Sequence, residues 1–380
     1  MPQTPKTMSD TIYPLDRCVA EIDLDALGSN YLSAKVKLGG ADVICVLKAN
    51  AYGLGAKEVC KHLYSLGARR FAVACAKEAL ELYGLGLPCS IFVLGDVSSA
   101  EALDLIPKGI ELTCHSPENA RLLLDCAKKL GHPVNAHIKL DTGLHRLGFE
   151  KADYPAMLEF AKSPLANLVG LYTHLALRNS ERDALQLQSY LEADKLLRGS
   201  GVSGYIRHVC DSIGMVRYPA WHFDAARVGA WLYGVCPYRY PHPEEDRLAV
   251  RFLSRIAAIH HVPAGECVGY DDDHPLTRDS VIATLPVGYA DGYPRRNNTG
   301  YVLIEGRPAN VLGLVCMDQL MADVTDIPRA RVGSGVVLLG DDISVNTYAA
   351  FAGMNRNEAL SRISDRVRRV YLHRNQTASD

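Results

Sequence analysis

Apolar and polar positions recur in a rhythm along the amino-terminal part of the chain, set by the stretch from Val43 to Gly55, V-I-C-V-L-K-A-N-A-Y-G-L-G. Five apolar residues rich in β-branching run into Lys48 and then into a loop of small residues. That pattern predicts a buried strand whose carboxyl end delivers a lysine to the mouth of a sheet. An amphipathic helix is expected next, over Lys57–Leu66. Similar apolar runs at Arg70–Ala76, Ser90–Gly95, Ile110–Cys114, Asn135–Asp141, Leu168–Leu175, Tyr205–Asp211 and Phe223–Gly229 bring the strands to eight. Between most of them lie helical patterns, among them Ser98–Ile106, Pro117–Leu130, Lys151–Lys162 and Arg182–Leu197. Ser116 and Glu118 give one of these an N-cap and an acidic first turn. Eight strands alternating with helices predict an α/β fold, a (β/α)8 TIM-type barrel. A short opening segment, Arg17–Leu24, and a helix over Asp25–Leu38 precede it.

The pattern changes past Pro237. Tyr238–Arg247 reads as a linker bearing proline, charge and histidine. Beyond it come short alternating strands at Arg251–His261, Ser280–Val287, Tyr301–Ile304, Ala309–Val315, Gln319–Val324 and Gly335–Leu339. Turns such as Pro263-Ala264-Gly265 and Gly306-Arg307-Pro308 separate them. A helical stretch, Val345–Ser361, and a basic strand-like tail, Arg366–His373, close the chain. The expected division is an N-terminal segment at 1–18, the barrel at 19–247 and a mainly β C-terminal domain at 248–380. A length of 380 residues suits such a pair.

Composition narrows the classes of function. The formal net charge of −2 leaves no footprint for nucleic acid or a membrane surface. No apolar run approaches the roughly 18 residues of a spanning helix. Met1–Thr11 is polar and proline-bearing, unlike a signal peptide. The 11 cysteines are scattered singly, with no C-x-x-C. Reduced, packed thiols in a cytoplasmic protein are expected, with no disulfides and no metal.

A barrel of this kind places its chemistry at the carboxyl ends of its strands. The polar residues there are Lys48, Lys139 with Asp141, His174, Ser212 and Arg227. Arg146 comes shortly after, in the loop D-T-G-L-H-R-L-G. The loops Asp211-Ser212-Ile213-Gly214 and Arg227-Val228-Gly229-Ala230 join a hydroxyl to backbone N–H groups near a glycine, a combination able to cradle a phosphate dianion. A lysine in a dry strand end has a lowered pKa and suits covalent chemistry on carbonyl groups. By position alone a lysine such as Lys48 more often snorkels to solvent, and each of the others taken singly is more often structural.

The motifs carry a resemblance to a known family. V-L-K-A-N-A-Y-G-L-G resembles the cofactor-lysine motif of alanine racemases, which use pyridoxal 5′-phosphate (PLP). I-K-L-D-T-G-L-H-R-L-G-F, L-Y-T-H-L-A, H-V-C-D-S, A-R-V-G-A-W-L-Y-G, P-V-G-Y-A-D-G-Y-P-R-R and V-C-M-D-Q-L-M-A-D-V resemble the family's other signatures, in the family's order. The likeness runs from about Val19 to about Tyr371.

The resemblance implies roles, residue by residue. Lys48 carries PLP covalently and acts as base on one face of the substrate Cα. Tyr270, in C-V-G-Y-D-D-D, is the base on the other face; as a bare sequence position it could also be a packed strand aromatic. Tyr52, Ser212 and the amides of Gly229 and Ala230 hold the cofactor phosphate. Arg227 faces the pyridine nitrogen, to which a guanidinium can donate a hydrogen bond but not a proton. His174, hydrogen-bonded to Arg227, completes the cofactor network. Arg146 and the backbone N–H of Met317 bind the substrate carboxylate, and Tyr289 and Asp318 gate the passage to the site. Lys139 is a candidate for carbamylation, the alternative being an ion pair with Asp141. The chains pair head to tail as a homodimer with shared active sites, Tyr270 and Met317 reaching the partner's barrel. The implied activity interconverts L- and D-alanine for peptidoglycan precursors.

Two departures bear on substrate. Asp271-Asp272-Asp273-His274 is unusually acidic, and an extended triplet points its carboxylates in alternating directions, as a solvated turn would. In I-S-D-R-V-R-R, Asp365 stands where the family commonly has an aromatic beside cofactor and substrate. A serine or broad-specificity racemase is therefore an alternative. A PLP-dependent decarboxylase of the same plan is opposed by Arg227, since that group typically sets a carboxylate at the pyridine nitrogen. A non-catalytic PLP-binding homeostasis protein is opposed by the β domain.

Overall fold

The computed structural model describes residues 16–235, 247–270, 274–340 and 342–373. The expected acidic triplet at 271–273 and most of the expected linker lie outside them. By contacts the chain forms two units, one of residues 27–51 and 56–247, the other of residues 1–26, 52–55 and 248–380.

The first unit is the predicted barrel. Taking the strand Cys18–Asp23 as β1, its strands are β2 (Asp42–Val46), β3 (Arg70–Val73), β4 (Ser90–Val93), β5 (Glu111–Cys114), β6 (Val134–Lys139), β7 (Ala166–Tyr172), β8 (Ile206–His208) and β9 (Ala225–Val228). They form an eight-stranded sheet in the order β8-β7-β6-β5-β4-β3-β2-β9, in which each paired neighbour is parallel. The ring closes between β8 and β9. There Asp224 N donates to Arg207 O at 3.1 Å and Arg227 N to Cys210 O at 3.0 Å.

The helices start and stop where local chemistry dictates. Ser98 accepts from Glu101 N while the Glu101 carboxylate accepts from Ser98 N, a complete capping box before Ser99–Leu105. Ser116 caps Pro117–Leu130 by accepting from Asn119 N, and Gly131 ends that helix at φ 63°. One amphipathic helix, Ala76–Tyr83, is absent from the sequence reading; it buries Ala76, Ala79 and Leu82.

The second unit is a mainly β sheet. Its strands are β10 (Val250–Arg255), β11 (Ala258–Val262), β12 (Ser280–Leu285), β13 (Tyr301–Ile304), β14 (Arg307–Leu312), β15 (Leu320–Asp323), β16 (Gly335–Leu339) and β17 (Arg368–Leu372). With β1 they run in the order β11-β12-β15-β14-β13-β16-β10-β1-β17. The single strand expected over Arg251–His261 is two. Ile256 N turns to Ser334 O and Ala257 N to Thr284 O, so the chain changes neighbours at that point. The expected helix Val345–Ser361 is likewise two, Val345–Ala352 and Arg356–Ser361, parted by Gly353 at φ 64°.

The division by contacts differs from the sequence-based boundary at residue 19. β1 pairs antiparallel with β10 and parallel with β17, so hydrogen bonding binds residues 18–23 into the β unit.

Candidate active site

β2 ends at Val46, two residues before the expected strand end at Lys48. The chain then enters a tight left-handed turn, with Ala49, Asn50, Ala51 and Tyr52 at φ between 53° and 55°. Each non-glycine residue in that region costs roughly 1–2 kcal/mol. The turn is held by several bonds. Ala51 N donates to Leu47 O at 2.8 Å, and Ala49 N and Ala74 N donate to the Glu78 carboxylate at 2.6 and 2.8 Å. The Asn50 side-chain oxygen accepts from Ala56 N at 2.8 Å. Lys48 opens this turn at the carboxyl rim, with its side chain reachable from solvent but crowded by protein. Burial, Arg146 and Arg227 lower its pKa, and Glu78 opposes them.

Tyr52 is buried and groups with the β unit, as do Gly53 and Leu54. There the Arg369 guanidinium donates to Gly53 O at 2.9 and 3.1 Å, and a Cβ at Gly53 would come within 2.4 Å of Leu360 O.

β6 delivers Lys139, 4% exposed. Burial, Arg227 and Arg146 bring its pKa down to about 8 against the opposing pull of Asp141. The alternative ion pair with Asp141 does not form, because that carboxylate is engaged with backbone. Its Oδ1 accepts from the N–H groups of Gly143, Leu144 and His145, and its Oδ2 from Arg146 N, at 2.9 to 3.1 Å. Asp141 thus builds the loop that carries Arg146.

Arg227, in β9, is 4% exposed, and both of its terminal nitrogens are engaged. Nη1 donates to His208 O at 2.6 Å and meets His208 Nδ1 at 2.9 Å. Nη2 donates to Thr173 O at 2.7 Å and Val209 O at 3.0 Å. The expected partner His174 lies farther off, its Nδ1 3.4 Å from Nη2. His208 is thus the closer histidine, and the sequence reading assigned it no role. Behind it, His208 Nε2 stands 2.9 Å from His137 Nδ1, and His137 Nε2 stands 2.8 Å from Glu111 Oε2. One signal for His137 was legible: it is two residues before Lys139 on one strand, and so on the same face.

On the neighbouring loops, Ser212 Oγ accepts from Gly229 N at 3.0 Å and Trp231 N at 3.3 Å. Asp211 accepts from Ile213 N and Gly214 N, fixing the turn. The Ser212 hydroxyl hydrogen and the Ala230 N–H find no acceptor among the described residues, so a hydroxyl and one backbone amide are left to donate on the loops that follow β8 and β9. That donor set fits an anion such as a phosphate. Burial, Arg227, Arg146, Lys139 and Lys48 push the His174 pKa well below its ordinary value, so the ring is neutral.

The remaining expected residues lie in the β unit. Tyr270 is 78% exposed and Met317 53% exposed. Tyr289 N donates to Cys316 O at 3.1 Å and Ala290 N to Met317 O at 3.0 Å, which sets Tyr289 beside the Met317–Asp318 segment. Asp318 pairs with Arg366 at 2.6 Å. Among the described residues no helix is long and apolar enough to cross a membrane, and no His/Cys/Asp/Glu group could hold a metal ion.

A parallel barrel with two lysines, two arginines and an anion cradle on its carboxyl rim, joined to a β domain, defines a class of enzymes. Residues 22–237 match the alanine racemase N-terminal domain and residues 249–371 the alanine racemase C-terminal domain. An alanine racemase of Methanococcus maripaludis is 36% identical over 93% of this chain and 98% of its own. The structure of an alanine racemase from Clostridium difficile 630 superposes with a TM-score of 0.90 at 32% identity, over 95% of this chain and 97% of that one. The alanine racemase of Bartonella henselae, solved with covalently bound pyridoxal phosphate, superposes at 0.83 with 28% identity, over 93% and 99%. The chain belongs to the alanine racemase family. It is an isomerase of the amino-acid racemase class.

Proposed function

We propose that the chain is a PLP-dependent racemase that interconverts L- and D-alanine by a two-base mechanism, in the cytoplasm, supplying D-alanine for peptidoglycan. The observation that carries this is the positive rim of Lys48, Lys139, Arg146 and Arg227 with the Ser212 cradle, in which burial and the two arginines lower the pKa values of both lysines. Such a rim attracts two anions, a cofactor phosphate and a substrate carboxylate.

PLP, when bound, supplies the electron sink for negative charge at the substrate Cα. The chain's own residues do the rest. Ser212, the amides of Gly229 and Ala230, and Tyr52 hold the phosphate. Arg227 donates to the ring nitrogen and gives up no proton, because a guanidinium stays charged. Lys48 would carry the cofactor and, once a substrate amine had displaced it, its lowered pKa would leave a neutral fraction able to take a proton from one face of Cα. The Tyr270 hydroxyl of a second copy works on the other face, beside neutral His174. Arg146 and the second copy's Met317 N–H orient the carboxylate. Tyr289 and Asp318 gate the passage, with Asp318 held by Arg366.

Serine is a second substrate. The Asp365 side chain is 95% exposed, and its cation, Arg369, is 3.8 Å away. Arg369 is meanwhile engaged by the carbonyls of Gly53, Ile363, Ser364 and Val367. The Asp365 carboxylate is thus available to accept from a substrate hydroxyl, a contact that discriminates strongly. The test is to incubate L-Ala and L-Ser separately with protein and PLP and to resolve the enantiomers by chiral chromatography. D-Ala from L-Ala is expected, with slower D-Ser from L-Ser; formation of an amine without D-Ala would replace racemisation by decarboxylation. In Asp365→Tyr the Ser/Ala ratio of kcat/KM should fall. An unchanged ratio would remove this residue from substrate choice.

A further inference from the structure

A barrel interior is ordinarily filled with branched apolar side chains. Buried polar networks are often no more stabilising than apolar packing of the same volume. A polar line through this barrel therefore asks for a reason. It runs from Glu111 through His137 and His208 to Arg227, at 2.8, 2.9 and 2.9 Å, and the four residues are 8%, 1%, 0% and 4% exposed.

Only one arrangement of protons satisfies every link. Arg227 has only donors, so His208 Nδ1 must be bare and accept. A neutral His208 then carries its hydrogen on Nε2 and donates it to His137 Nδ1. His137 Nδ1 is bare in turn, so that ring carries its hydrogen on Nε2 and donates to the Glu111 carboxylate. A charged His137 would donate to His208 Nε2 and strip His208 of both ring hydrogens, which the pH range of proteins does not allow. Burial and the nearby Arg227 and Arg70 charges lower both histidine pKa values, in keeping with neutral rings. For Glu111, burial raises the pKa, but the hydrogen bonds from His137 and Ser90 and the charge of Arg70 lower it overall.

The packing is built for the line. Phe92 stacks on His137 with ring centres 3.9 Å apart, and Tyr172 stacks on His208 at 4.8 Å and 8°. Tyr172 is itself fixed through its hydroxyl, 2.9 Å from Thr113 Oγ1. Most tellingly, β7 has Gly170 where His137 enters, and a Cβ there would lie 2.1 Å from His137 Nδ1. The far end is equally constrained. All four Nη hydrogens of Arg227 have acceptors in His208 Nδ1 and the carbonyls of His208, Thr173 and Val209, and among the described residues Nε–H alone has none.

We propose that Glu111, His137 and His208 are positioning residues, a one-way hydrogen-bond relay that keeps His208 Nδ1 bare and so pins Arg227 with its Nε–H as the edge left for the cofactor ring nitrogen. The direction of that donor rests on the proposed PLP function; the relay itself does not. Side-chain 15N spectra of the histidine rings separate the two, recorded on the full chain before and after adding PLP. Both His137 and His208 should be Nε2–H tautomers that do not titrate between pH about 6 and about 9. In Glu111→Leu the terminal acceptor is gone. His208 should then populate the Nδ1–H tautomer, and kcat should fall about tenfold with KM changed less than about twofold. Glu111→Gln keeps an oxygen that accepts the same N–H and should restore both the tautomer and kcat. Gly170→Ala displaces His137 without removing a polar group and should reproduce the Glu111→Leu tautomer mixture. A wild-type His208 protonated on Nδ1, or a Glu111→Leu spectrum identical to wild type, would overturn the relay. Wild-type rings as expected with no visible band from bound PLP would leave the relay standing and sink the cofactor assignment.

Discussion

Buried beside Arg227 and Arg146, Lys139 holds its positive charge against its surroundings, and its pKa falls to about 8. A group with that pKa is neutral in about one molecule in ten at pH about 7. Only the neutral amine adds to the carbon of CO2; it gives up a proton to water and becomes a carbamate. The exchange turns a repelling cation into an anion between two arginines, and Asp141, engaged by four backbone N–H groups, cannot serve in its place. The carbamate should therefore form on Lys139 and increase as pH rises through about 8, because the neutral fraction rises there. A carbon-13 signal from labelled bicarbonate, stronger at pH about 9 than at about 7 and lost in Lys139→Ala, is the expected result. No such signal at the higher pH would leave Lys139 a plain amine.

At the scale of the element, the turn after β2 concentrates strain beside Lys48. Four consecutive residues in the left-handed region, Ala49 to Tyr52, cost roughly 4–8 kcal/mol together at the usual penalty per residue. Glu78 is the chief external brace, accepting from Ala49 N and Ala74 N. Glu78→Ala leaves those amides to water or to nothing, and should lower stability by about 1–3 kcal/mol in chemical denaturation. It should also weaken PLP binding by freeing the turn that carries Lys48. A variant with wild-type stability and cofactor affinity would show that the turn holds itself. This element also marks how far sequence reaches. The eight strands and most helices were legible because apolar period and caps are local signals, and V-I-C-V-L-K announced its lysine. The left-handed turn was not legible, since nothing in A-N-A-Y disfavours an ordinary loop and the brace comes from Glu78, on the helix Ala76–Tyr83 that follows β3. His208 and Glu111 were missed for the same reason. A polar residue in an apolar run gains meaning only when strand pairing shows what stands beside it. β1 was assigned to the barrel because sequence order hides that its partners, β10 and β17, lie more than two hundred residues away.

At the scale of the whole molecule, the proposed function divides its residues between the two units. The barrel unit contains Lys48, Arg146, Ser212, Gly229 and Ala230, whereas Tyr270 and Met317 belong to the β unit. Tyr270 and Met317 are among the few large apolar side chains left exposed, which suits residues that are covered only when a second chain arrives. A twofold dimer in which each β unit serves the other chain's barrel would build two sites, each with Lys48 from one chain and Tyr270 from the other. The consequence can be counted. Lys48→Ala and Tyr270→Phe homodimers should both be nearly inactive, because each lacks one base in both sites. When the two variants are unfolded together in equal amounts and refolded, about half the dimers are mixed. In a mixed dimer one site receives both defects and the other receives neither, so about one site in four overall is intact. Racemisation should return to about a quarter of wild type, and chromatography of the mixed species alone should raise it to about half. If each chain supplied both bases to its own barrel, every site in every mixture would lack one of them, and refolding together would restore nothing.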